Sequence, residues 1–87
     1  MKIKEGFILR QVAGENVVIP AGENLDTNMM ITLNDSGAFL WNQLQQEITV
    51  DELVDKVVAE YPDVDRSTAK IAVEGFVEQL KINDFLC

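Results

Sequence analysis

Thr68, Ile71, Ala72 and Gly75 follow one another at intervals of three, one and three residues, a spacing that gathers side chains on one face of a helix. Their chemistry is that of a docking wall. Small side chains let another backbone come close, and a glycine in mid-helix costs about 1 kcal/mol against alanine, a loss that close approach can repay. Packing of Gly75 against a strand of its own domain would account for it equally. Groups for covalent chemistry are scarce. The chain has no histidine and one cysteine, Cys87, so the commonest general base and metal ligand is missing. There is no CxxC and no glycine-rich phosphate loop. Carboxylates are plentiful, but none form a spaced pair on an apolar face. No catalytic residue, metal ligand or cofactor is expected.

Composition narrows the partners. Eighty-seven residues make one small domain spanning 1–87, and 47% apolar residues are ample for a core. Fifteen acidic and seven basic side chains give a net charge of −8. That balance opposes binding to nucleic acid, which uses Lys and Arg to neutralise phosphate, and to anionic lipid. One cysteine cannot form an internal disulfide, which suits a reducing compartment. No apolar h-region follows Met1–Gly6, and no run reaches the roughly 20 apolar residues of a membrane span. The expected location is the cytoplasm.

The elements that must position the wall can be read in order. Gly6–Val12 and Val17–Ile19 form a strand pair around a turn at Ala13–Asn16, with Pro20 ending the second strand. Ala21–Asn28 reads as a loop and Met29–Leu33 as a third strand. After Leu33 the period changes from two to about 3.6. Asn34 is an N-cap, and Ala38, Phe39, Leu40, Trp41 and Leu44 form the apolar stripe of a helix ending near Gln46. Thr49 and Glu52 form a capping box for a second helix, which carries Leu53, Val54, Val57, Val58 and Tyr61 and is stopped by Pro62. Asp65 caps a third helix running to about Lys81. Phe85 and Leu86 then form an apolar hook that packs back onto the sheet. The expected fold class is α+β, winged helix-turn-helix-like: a three-stranded antiparallel sheet followed by three helices.

On the third helix, Ala69, Val73, Phe76 and Leu80 fall on one face, flanked by Ala72 and Val77, and read as core. Lys70, Glu74, Glu78 and Lys81 lie on the solvated face. Thr68, Ile71, Ala72 and Gly75, with Phe76 at the border of the core stripe, are candidates to line a groove. The candidate for the other wall is the third strand, Met29, Met30, Ile31, Thr32 and Leu33, if it is an edge with free N–H and C=O groups. Alternation puts Met29, Ile31 and Leu33 on one face, simple core by default, and Met30 and Thr32 on the other.

Several features carry a family resemblance. They are the opening strand with Arg10, the Leu33-Asn34 junction, the helix Gly37-Ala38-Phe39-Leu40-Trp41, the run Thr49-Val50-Asp51-Glu52-Leu53-Val54, and Val73 to Leu80. In these the chain resembles PqqD-like proteins, the precursor-peptide recognition elements of ribosomally made, modified peptides. The resemblance implies a non-catalytic peptide chaperone. Such a module binds the leader of a precursor peptide in extended form, between the third strand and third helix. It presents the peptide to a modifying enzyme, often a radical SAM enzyme. Family members commonly have a glycine near the end of the last helix. Here Lys81-Ile82-Asn83 stands in its place, and Asn83 can supply the left-handed cap.

Two other readings stay open on the residues alone. The helix order suits a winged-helix DNA-binding protein, although Arg66, Lys70 and Lys81 would work against Asp65, Glu74 and Glu78. A generic adaptor or homodimer, joined through the edge strand or by swapping the N-terminal hairpin, is also compatible.

Overall fold

The computed structural model describes residues 1–20 and 31–86. Three strands, β1 (Phe7–Val12), β2 (Glu15–Pro20) and β3 (Ile31–Leu33), precede three helices, α1 (Asp35–Gln43), α2 (Val50–Glu60) and α3 (Arg66–Ile82). The α+β order is the one expected. The sheet is antiparallel with strand order β1-β2-β3, so β3 is an edge strand. The expected strand residues Met29 and Met30 lie outside the described residues.

The hairpin is tighter than the sequence suggests. Val12 pairs with Glu15, leaving only Ala13 and Gly14 in the turn, both at positive φ (53° and 81°). Two left-handed residues match the right-handed twist of the flanking strands. Glu15 and Asn16 therefore belong to β2, where ladder pairing overrides their poor strand propensity.

Residues paired across the strands share a face. Phe7, Leu9, Val18, Ile31 and Leu33 point to the core. Ile8, Arg10, Val12 and Thr32 point away from it and are exposed. The hydrophobic core cluster lies on the first of these faces, while on the second Val17 alone is buried among the described strand residues. Trp41 lies at the centre of the core, 1% exposed, and packs edge-on against Phe85 with ring centroids 5.7 Å apart. Phe85 in turn meets Phe7 at 4.7 Å, so the expected hook does pack onto the sheet.

The first residues complete this cluster, a role the sequence pattern did not reveal. Ile3 is buried and forms an antiparallel bridge with Leu86. Its N–H donates to the Leu44 carbonyl at 2.9 Å, and the Lys4 N–H donates to the Phe85 carbonyl at 2.8 Å.

Helix ends follow local chemistry. The Thr49–Glu52 capping box is present, with both bonds at 3.1 Å. Helix α1 stops at Gln43, earlier than Gln46. The end of α3 differs from expectation. Asn83 keeps φ −88° and donates its side-chain N–H to the Gln79 carbonyl at 2.8 Å. The left-handed residue is Asp84, at φ 63°. The Phe85 N–H reaches the Leu80 carbonyl at 2.9 Å, and the Asp84 N–H reaches that of Lys81 at 3.1 Å. This is a complete Schellman closure, with the apolar Phe85–Leu80 pair that accompanies it.

Candidate functional site: a groove beside an edge strand

Helix α3 meets the core with a face turned slightly from the expected stripe of Ala69, Val73, Phe76 and Leu80. Ala69, Val73, Val77 and Leu80 are buried, Phe76 is only half-buried, and Ala72 is exposed. The helix is rotated so that Val77 takes the position expected of Phe76. That rotation moves the large Phe76 ring to the border of a groove and opens the next row to solvent.

The groove encloses about 530 Å³. Thr68, Ile71, Ala72, Gly75 and Phe76, the five helix residues singled out from the sequence, all line it, and Gln79 extends the row. Its floor includes Leu40, Val57, Ala69 and Val73, which are core residues. At one end stand Tyr61 and Val64, with Tyr61 held edge-on by Phe39 at a centroid distance of 5.8 Å. The wall facing α3 is the start of α1: Asn34, Ser36 and Gly37.

Gly75 faces open space, for a Cβ there would meet no atom within 4 Å. Among the described residues, no strand packs against Gly75. Gly37 is the opposite case. A Cβ there would stand 3.1 Å from Asn34 Oδ1 and 3.4 Å from both Leu33 Cβ and Phe76 Cε2. Glycine at that point lets α1 close on Phe76 and fixes the groove's width. The cap holds the same turn: the Gly37 N–H donates to Asn34 Oδ1 at 2.8 Å, and Ser36 Oγ donates to it at 3.0 Å.

Among the described residues, Ile31, Thr32 and Leu33 do not line the groove. They lead into it, since β3 ends at Leu33 and Asn34 is the first lining residue. Ile31 and Leu33 are half-buried against the core and Thr32 is exposed, the alternation the sequence predicts. At the other end, Asp65 starts α3 by accepting from the Thr68 N–H at 2.7 Å. Bonds from the Thr68 backbone, then from its side chain, hold the Asp65 carboxyl below the usual carboxylate range.

Sequence reasoning missed Asn34, Ser36, Gly37, Tyr61, Val64 and Gln79 as lining residues. Gln79 had a signal, because it continues the Gly75 row one turn on. Gly37 and Tyr61 had none, since only the packing of α1 on α2 and α3 brings them here.

Among the described residues no group of three His, Cys, Asp or Glu could hold a metal ion, and no helix is long and apolar enough to cross a membrane. No buried side-chain nitrogen or oxygen lacks a partner among those residues. An open apolar groove at the end of an edge strand defines a surface for binding an extended segment. The family described as Coenzyme PQQ synthesis protein D (PqqD) matches residues 23–86, and the chain belongs to that family. A solved structure, "TbiB1 in Complex with the TbiA(beta) Leader Peptide", is similar at 28% identity with a TM-score of 0.77, covering 99% of this chain and 94% of that one. No curated protein matches the chain.

Proposed function

We propose that this chain is a non-catalytic recognition domain that binds the leader of a ribosomally made precursor peptide and presents the peptide to a modifying enzyme. The continuity from the edge strand β3 through Asn34 into the groove carries the reading. An extended leader adds to β3 through its backbone, giving affinity, while its apolar side chains settle in the groove, giving register. Each large apolar side chain so buried contributes about 1.5–3 kcal/mol before ordering costs. The structure of TbiB1 in complex with the TbiA(beta) leader peptide, similar over nearly the whole chain, supports the same use here.

In detail, Met29, Met30, Ile31, Thr32 and Leu33 supply the receiving strand, and Thr68, Ile71, Ala72, Gly75 and Phe76 supply the helix wall. Residues 1–87 act as one domain in the cytoplasm and serve a modifying enzyme such as a radical SAM maturase. Nucleic acid and membrane are not partners, consistent with the net charge of −8. A homodimer through β3 would compete with the leader for the same edge.

The test is a ¹⁵N–¹H NMR titration with the leader segment of any short precursor peptide encoded beside this gene. Shifts confined to Ile31–Leu33 and to Thr68–Phe76 are expected. A saturable titration whose shifts fall on the exposed face of β1 instead would remove the groove from the reading, and no shifts at all would remove the leader.

A further inference from the structure

The rim of the groove is acidic, and the positions of its charges say more about the peptide than its apolar lining does. On a helix turning about 100° per residue, Glu78 and Glu74 stand about 20° and 60° beyond Ile71, on the side away from the groove. Lys81 and Lys70 lie further round, at about 80° and 100°. The carboxylates are thus the first charges outside the exposed Ile71 ridge, and the lysines stand behind them. Neither Glu74 nor Glu78 has a cation within 4.0 Å among the described residues, whose ion pairs are Met1–Glu47, Lys4–Asp84 and Arg66–Asp55. On the α1 side the residue between the lining Asn34 and Ser36 is Asp35, exposed. Among the described residues its carboxylate accepts only a neutral amide N–H, from Asn16 at 3.1 Å. At the Tyr61 end, Arg66 is tied to Asp55 at 2.6 Å, while Asp63 lies exposed next to the lining Val64. The C-terminal end of α3 adds its own partial negative charge beside Gln79.

We propose that the groove selects basic apolar peptides: a leader with a large apolar anchor for the floor and Lys or Arg near it, set toward the Gln79 end of α3. This rests on the peptide-capture reading above and narrows it. Rim carboxylates act mainly on encounter rate and on rejection of wrong partners. An acidic segment would meet Asp35, Glu74 and Glu78 as like charges.

A display library of random linear peptides, each long enough to span α3, tests this when sorted on the full chain at low and high salt. The expected result is recovery of peptides with a large apolar residue and Lys plus Arg enriched over the unsorted pool by roughly threefold, the scale exposed ion pairs support. The enrichment should fall at high salt and should vanish on the Glu74→Lys/Glu78→Lys chain, whose helical circular dichroism should match the parent. Recovered peptides that bind in the groove but are no richer in Lys and Arg would overturn the charge preference and leave peptide capture standing. Failure to recover any peptide would overturn both.

Discussion

The two faces of α3 are built to opposite ends. On one, Ala69 and Val73 are wholly buried and Leu80 is 3% exposed. On the other, nearly half a turn away, Ile71 is 73% exposed, and a Cβ at Gly75 would meet no atom of the described residues within 4 Å. A helix that only completed a core would put a polar residue at 71 and a better helix former at 75. This one leaves a large apolar side chain in water and accepts a glycine, both on the row that lines the groove. Stability resides on the first face, and the second lines the open groove.

Three substitutions sharpen that contrast. Leu80→Ala empties a buried site that also anchors the Schellman closure through Phe85. It should cost about 2–5 kcal/mol, seen as a lower urea midpoint with unchanged slope. Gly75→Leu should do the reverse. It fills the open groove without touching the core, so stability should hold or rise by about 0.5–1 kcal/mol, while leader affinity measured by calorimetry falls at least about tenfold, or 1.4 kcal/mol. A folded Gly75→Leu chain with full affinity would show that the helix wall is not used. The smallest effect is expected from Asp84→Gly. Relief of a left-handed non-glycine residue should raise stability by about 0.5–1 kcal/mol, partly offset by loss of the exposed Lys4–Asp84 pair. Leader affinity should not change, because Asp84 does not line the groove and its carboxylate is already paired with Lys4.

Legibility in the sequence tracked how local the cause was. The Thr49–Glu52 box, the Asp65 cap and the change of period after Leu33 act over a few residues, and each appears where the sequence places it. The five groove residues of α3 were legible for the same reason: they share one row of one helix. What escaped depends on distant partners. Ile3 offers no periodic pattern, and its place against Leu86 and Leu44 is fixed only once the whole chain is assembled. The ideal wheel put Phe76 in the core stripe and Val77 on its flank, whereas the docking of α3 leaves Phe76 half-buried and buries Val77. The left-handed cap was sought at Asn83 because asparagine tolerates that conformation, but the apolar pull of Phe85 toward Leu80 sets the turn one residue later. The facing wall at Asn34–Gly37 was hidden because it comes from the start of a different helix.

The bridge between Ile3 and Leu86 has a topological consequence. Where the chain enters the fold and where it leaves are neighbours, stitched as two short antiparallel segments under Trp41. The path is in effect a loop closed at one point. A second domain attached before residue 3 or after residue 86 would sprout from the same spot. The whole unit could equally be spliced into a surface loop of a larger enzyme, its two junctions side by side. Peptide capture could then be grafted onto a catalyst as a plug-in.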